Sequence, residues 1–446
     1  MWLVRVVGTL IILGGASNAN AADLLDVFRL SAQQDPRLQA AIYQYEAAKE
    51  SVPQAKASLF PDLSFNYEYL RTNQDIKSTD NAVFGSGSTT FPTNTYGLVL
   101  SQPIFRFGDW QNLKQSHARV AQAMAELEAA KQDHILRVSQ VYLGVLAAED
   151  DLEFARAEKA AVGRQLELAE RRRQSGLATR TDEYDARARF ALISSNEIDA
   201  QNRLADAHQA LLETTGELIV DLQPLGGTIE LLEPVPSDID QWVSRSLQQN
   251  YLLESRRQAV VIAEREIERQ KSDRYPTLDL VGRLDNRDTD GSLFGGGSEV
   301  ETADIALQFN LPLFKGGGTN SRVRQARFEN LRAAQELKLE QLQVTRESRN
   351  SYLGVISGVS RVRALAESVT AQQSALDAKR RGYDSGINTA LHVLDAERDL
   401  YLTKRDYAQA RYDYLLSTLR LKNAAGILQE PDLGQINDML AERDQE

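Results

Sequence analysis

Histidine, cysteine, serine and glycine-rich patterns are the residues through which a chain of this length would do covalent or metal chemistry, so their spacing comes first. His117, His134, His208 and His392 share no metal-ligand spacing and fall in separate segments that read as helices. Cysteine is absent, which excludes disulfides, thiolate metal sites and an N-terminal lipidated Cys. No GxSxG elbow occurs, and the glycine-rich runs GGGSE and KGGGT lack the lysine and serine that cradle a phosphate. Nothing positive supports an enzyme, and no cofactor site is read. What remains are isolated charges: Asp182 reads as an acid in a first helical turn, Tyr383 as a packing residue, and Arg171-Arg172-Arg173 and Lys379-Arg380-Arg381 as cations near helix C-termini.

The elements that hold these residues are duplicated. The phrase YLGV occurs at Tyr142–Val145 and at Tyr352–Val355, and the same offset relates Ser175-Gly176-Leu177 to Ser385-Gly386-Ile387, Asp185-Ala186 to Asp395-Ala396, and Gly216 to Gly426. Slightly different offsets link LSQPIFRFG around Pro103 to FNLPLFKGG around Pro312, and LFPDL around Pro61 to RYPTL around Pro276. Spacing kept through glycines, prolines and apolar positions is an internal duplication, here of a whole domain.

Each half passes from helix to strand and back. Asp35–Leu59 and Asn250–Arg274 are rich in helix formers. After the proline the period drops to two. Leu63, Phe65, Tyr67 and Tyr69 alternate with polar residues, as do Tyr96, Leu98 and Leu100; Leu278, Leu280 and Leu284, then Ile305, Leu307, Phe309 and Leu311, repeat the pattern. STDNAVFGSGSTTF and DTDGSLFGGGSE read as exposed loops joining these strands. Two hairpins cannot close a barrel, so strands that cross a membrane must be pooled from several chains, eight from two or twelve from three. Proline-free segments follow each hairpin, Asp109–Ser175 and Gly318–Ser385. As helices they reach roughly 100 Å, rods that persist only packed side by side as coiled coils. Each then reverses into a second helix, Asp182–Thr215 or Leu391–Ala425. Gly144 and Gly354 in the repeated phrase are expected to allow close helix contact.

Residues 1–21 read as a signal peptide: Arg5, an apolar stretch, then Ala19-Asn20-Ala21. The net charge of −12 argues against nucleic acid as a partner. The organisation is then a signal peptide (1–21), N-terminal helices (22–61), a first β-hairpin (62–108), a first long helical hairpin (109–216) and an equatorial segment (217–236). A helix (237–276), a second β-hairpin (277–317), a second long helical hairpin (318–426) and a C-terminal equatorial segment (427–446) complete it.

These residues resemble the TolC family of outer-membrane efflux proteins over nearly the whole mature chain, most tightly in GLATRTDEYDARARF and in the stretch from GYDSGINTALHVLDAERD to LKNAAGIL. The resemblance implies mixed α and transmembrane β structure: a homotrimer with a twelve-stranded barrel in outer-membrane lipid, four strands per chain, continued by an α-helical barrel across the periplasm. It implies a passive exit duct for drugs, small molecules or secreted proteins, served by a periplasmic adaptor (membrane fusion) protein and an inner-membrane transporter. Asp182 matches a lock carboxylate and Tyr383 its tyrosine partner, whereas Asn388 stands where the family has the lock arginine. At the pore constriction Asp395 is retained and His392 replaces the second acid, so conductance is expected to respond to pH near neutrality. The tips at Gly176, Leu177, Gly386 and Ile387 match the adaptor-docking turns. The alternative from another class is a soluble periplasmic coiled-coil adaptor or scaffold, which would need one hairpin and no lipid-facing strands.

Overall fold

The alternation of apolar and polar residues becomes one antiparallel sheet. The computed structural model describes residues 21–78, 87–176, 178–227, 229–291 and 296–440; nearly all of the expected signal peptide lies outside them. Strands β1 (Asp62–Ile76), β2 (Gly87–Phe105), β3 (Thr277–Thr289) and β4 (Ser298–Asn310) lie in the order β1-β2-β3-β4. The register settles which face is apolar. Phe65 pairs with Leu98, Leu98 with Leu284, and Gly282 between Leu100 and Ile305, so the alternating residues of all four strands share one face. That face is open, with Ile305 86% exposed, whereas Glu68, Arg283, Asp285, Arg287 and Asp304 carry charge on the other. From Leu63 to the tyrosine pair Tyr67–Tyr96 and on to Tyr69 the apolar residues run roughly 20 Å along the strand, with the alternation of a lipid-facing barrel strand.

The strands run further than the glycine- and serine-rich composition suggests. Residues 87–91 and 288–289, read as loop, continue the ladders, with Ile76 opposite Gly87 and Thr72 opposite Phe91. β-branched threonines suit a pleated strand and compensate for the neighbouring glycine. The centres of both loops lie outside the described residues.

Ten helices flank the sheet among the described residues: α1 (Leu24–Gln34), α2 (Pro36–Lys49), α3 (Ser51–Ala57), α4 (Phe107–Gln174), α5 (Arg180–Thr215), α6 (Ile239–Gln249), α7 (Tyr251–Lys271), α8 (Gly318–Asp384), α9 (Ala390–Ala424) and α10 (Glu430–Asn437). None is long and apolar enough to cross a membrane. Helices α4 and α8, 68 and 67 residues long, span roughly 100 Å each. In the half nearest the sheet α7 packs between them, and in the distal half α9 does, with α5 along the other side of α4. The single N-terminal helix expected from Asp35 to Leu59 is two, because Pro53 lacks the N–H that would bond the carbonyl of Lys49.

The repeated phrase lies in the main core. Tyr142, Leu143 and Val145 are fully buried and Val355 is 1% exposed, packed with Leu24, Leu222, Leu415 and Leu433 where the equatorial segments wrap the helices. Its glycines do not serve close contact as expected. A Cβ on Gly144 would meet nothing within 4 Å, and one on Gly354 would touch Ser417 Oγ at an ordinary 3.7 Å. Gly144 instead lines a groove of about 470 Å³ between α4, α5 and α9.

Candidate functional site

The sheet-distal ends of the two hairpins gather the residues that the sequence singles out. Each long helix stops at a serine followed by a glycine in the left-handed region, Gly176 at φ 72° and Gly386 at φ 79°, which lets the chain reverse within a few residues. Thr179 and Thr389 then cap α5 and α9. Ile387 is 81% exposed on its turn, while Leu177 lies outside the described residues.

Asp182 forms a capping box. Its Oδ2 accepts from the Thr179 backbone N (2.9 Å) and Oγ1 (2.8 Å), while its own N–H donates to Thr179 Oγ1 (3.2 Å). Tyr383 is not bonded to it within the chain. The tyrosine ring lies beneath the Arg172 guanidinium, 4.3 Å from the ring centroid, and against the apolar cluster of Leu376, Val393, Ala396 and Leu400. Asn388 closes the end of α8: its N–H donates to Gly382 O (3.0 Å) and its Nδ2 to Lys379 O (3.3 Å), over a glycine whose Cβ would come within 2.2 Å of that Nδ2.

The constriction residues stand apart from these. His392 is exposed on the first turn of α9, its backbone N–H donating to Thr389 Oγ1 (3.4 Å). Asp395 is not a bare carboxylate. Arg189 of α5 reaches it at 3.0 Å and Arg398, one turn on, at 3.7 Å.

Other charged residues at this end are tertiary ties that local sequence does not reveal. Glu183, nearly buried, is gripped by Arg173 of α4 and by Arg187 at 2.8 Å, and Arg187 also reaches Glu170 at 3.2 Å. The arginine run at the end of α4 therefore fixes the tip as well as its helix dipole. Glu397, 1% exposed, is held by Arg380 at 2.7 Å. Glu158 is 4% exposed and has no hydrogen bond or ion pair among the described residues. Burial pushes its carboxyl pKa above the ordinary range, against the pull of Arg405 and Arg189.

One further cluster has the outline of catalytic machinery. His134 Nδ1 is 2.8 Å from Asp35 Oδ2 and its Nε2 is 3.2 Å from Ser31 Oγ. All three residues are at most 2% exposed, Ser31 Oγ is already 2.8 Å from Phe28 O, and Arg137 also grips Asp35. No substrate reaches the serine; the cluster joins α1, α2 and α4. Among the described residues no group of three or more His, Cys, Asp or Glu could hold a metal ion.

A lipid-facing sheet joined end-on to paired helices of this length, in two matching halves, narrows the comparison with known proteins. The profile of the family described as "Outer membrane efflux protein" matches residues 27–217 and 242–427, one stretch per half. The chain is 32% identical to outer membrane protein TolC of Vibrio cholerae over 421 residues, 94% of this chain and 93% of that one. It is 30% identical to the alkaline protease secretion protein AprF of Pseudomonas aeruginosa, covering 93% and 87% of the two chains. Among solved structures, the CmeC outer membrane channel of Campylobacter jejuni superposes with a TM-score of 0.80 at 16% identity, covering 99% of this chain and 98% of the other. With both halves matched by one family and the fold shared from end to end, the chain belongs to the outer membrane efflux protein family.

Proposed function

We infer that the chain is an outer-membrane exit duct: a passive, gated channel through which drugs, small molecules or secreted proteins, delivered by an inner-membrane transporter and a periplasmic adaptor, leave the cell. The observation that carries this is the sheet, one face bearing an apolar band from Leu63 to Tyr67 and across to Leu284 and Ile305 and the other charged, continuous with helices that reach roughly 100 Å beyond it. A soluble scaffold has no use for such a face. Among the described residues the outer edges of β1 and β4 have no strand partner, and unpaired edges in lipid cost several kcal/mol per backbone group, which supports a homotrimer of twelve strands. The relatives named for protease secretion support polypeptide as well as small-molecule cargo.

The gate is assigned to Asp182, Tyr383 and Asn388, the constriction to His392 and Asp395, and adaptor docking to the turns at Gly176, Leu177, Gly386 and Ile387. Two features support the lock. Oδ1 of Asp182 is left over by the capping box, and the Tyr383 hydroxyl has no hydrogen-bond partner among the described residues, so the bond between them would run from one protomer to the next. Planar-bilayer recording of the detergent-purified protein tests the reading. A small steady conductance in the parent that rises in the Asp182→Ala, Tyr383→Phe double variant is expected; a well-folded sample that never conducts refutes the duct.

A further inference from the structure

We propose that Arg189 sets the ion selectivity of the duct by neutralising Asp395, so that the constriction presents compensated charge instead of a ring of bare carboxylates. The proposal rests on the duct reading and goes beyond it, because it names a residue on a different helix from the constriction and removes the net charge that the constriction is expected to carry.

The two hairpins converge at this level. Ala186 and Ile193 of α5 share an apolar cluster with Leu394 of α9 and with Val162 and Ala169 of α4. On α9, Val393, Leu394, Ala396 and Leu400 turn into the protein, which leaves His392, Asp395, Arg398 and Asp399 along the accessible stripe. Each charge on that stripe is matched. Asp399 Oδ1 accepts from Arg398 Nε (2.9 Å) and Nη2 (2.7 Å). Asp395 Oδ1 accepts from Arg189 Nη2 at 3.0 Å, with the Arg398 guanidinium second at 3.7 Å. The Arg189 side chain is 19% exposed and that of Asp395 38%, so the cation is the better sheltered partner and the carboxylate meets the water with its charge already answered. The basic groups further in are committed elsewhere: Arg380 to Glu397 at 2.7 Å, and Arg405 to Asp151 at 3.0 Å.

Neutralising Arg189 would leave Asp395 in each chain with only the Arg398 guanidinium, 3.7 Å away and shared with Asp399, so its charge is no longer matched. In a trimer three such charges would lie at one level of the duct, so cation over anion permeability would rise and the reversal potential shift accordingly, more at low salt, where screening is weaker. The reciprocal change, Asp395→Asn, would leave Arg189 without its bonded carboxylate, with Glu158 as its remaining acidic neighbour, and shift permeability toward anions.

The experiment is the reversal potential of the full-length protein in planar bilayers under a potassium chloride gradient at pH 8. Parent, Arg189→Gln, Asp395→Asn and the double variant are compared. Reversal potentials, unlike conductance, separate a change of charge from a loosening of the α5–α9 contact. Weak selectivity in the parent, a cation shift in Arg189→Gln, an anion shift in Asp395→Asn and a return toward the parent in the double variant are expected. A strongly cation-selective parent whose preference Arg189→Gln leaves unchanged overturns the assignment while leaving the duct intact. A parent that folds but conducts no ions overturns the duct and this proposal together.

Discussion

His134→Val separates the two halves of the molecule by acidity. Duplication supplies the control, since the offset that relates Tyr142 to Tyr352 relates His134 to Val344, and the earlier offset relates Ser31 and Asp35 to Ser246 and Asn250. Both sets sit where a helix of the distal half meets one of the sheet-proximal half. In the second half Asn250 caps α7, accepting from Leu253 N (3.0 Å) and donating to Ala424 O (3.2 Å), with no ionisable side chain in either bond. In the first half Asp35 caps α2 and is also held by His134 and Arg137. Burial lowers the His134 pKa below the ordinary 6.5 and outweighs Asp35, which raises it; Arg137 lowers it further and Asp133 opposes. Burial pushes Asp35 up, but bonds from Arg137, the Arg37 backbone and His134 outweigh it, so Asp35 stays ionised down to its ordinary 3.8 and below. The opened state therefore takes up the histidine proton first. Stability present at neutral pH is lost as pH falls below 6.5, by about 1.4 kcal/mol, or tenfold, per pH unit until the folded-state value is reached. Hydrogen exchange corrected for intrinsic rates should show amides at the start of α2 losing protection, by up to about fivefold, between pH 6.5 and 5.5, while those at the start of α7 hold. His134→Val should abolish that fall, at a cost near neutrality of about 1–3 kcal/mol for the lost hydrogen bonds. Equal losses at both junctions, or a fall that survives in the variant, would refute the reasoning.

The repeated tyrosines offer a second internal comparison. Tyr142 donates its hydroxyl toward Gln223 O at 2.9 Å and Ala22 O at 3.3 Å, whereas the Tyr352 hydroxyl makes no hydrogen bond among the described residues. Tyr142→Phe should therefore destabilise by about 1–1.5 kcal/mol in thermal melts and Tyr352→Phe by less than about 0.5. Gly144→Ala should stabilise by up to about 1 kcal/mol, since its Cβ meets open space inside a helix; a loss of trimer on a native gel would instead reveal a contact there in the assembly. Arg380→Ala strips the partner from a carboxylate that is 1% exposed, and should cost about 3 kcal/mol and raise proteolysis at the α8–α9 tip, with Glu397→Gln in the same background restoring much of the loss.

How far the sequence could be read follows from the range of the forces involved. The four strands are visible because burial on one face enforces a period of two, and that holds for Leu63 to Tyr69 as for Ile305 to Phe309, while Leu311, expected in the last strand, lies just past the end of β4. Their outer ends are not, because beyond the lipid both faces are wet and the signal falls to threonine propensity among glycines. The break at Pro53 was legible from the missing N–H, but the surrounding run of helix formers masks it. At the tips, Asp182, Tyr383 and Asn388 are found by motif, yet what each touches within the chain is a cap, a cation and a helix end.

Arg189 and His134 escape sequence reading for another reason: their partners lie far away in the chain, and no local pattern announces an ion pair between α5 and α9 or between α1, α2 and α4. The duplication nevertheless carries a usable signal. Positions that face the shared core match across the halves, as Tyr142 and Val145 match Tyr352 and Val355. Where the halves meet different neighbours, matched positions change charge: Asp35 against Asn250, His134 against Val344, and Arg189 against Asp399. Core burial is indifferent to which half supplies a side chain, but a buried charge is stable only against a specific partner. Charge divergence at matched positions that are buried or ion-paired across helices therefore accompanies the loss of symmetry in a doubled fold, as at the helix junction of Asp35 and His134 and at Arg189 beside the constriction.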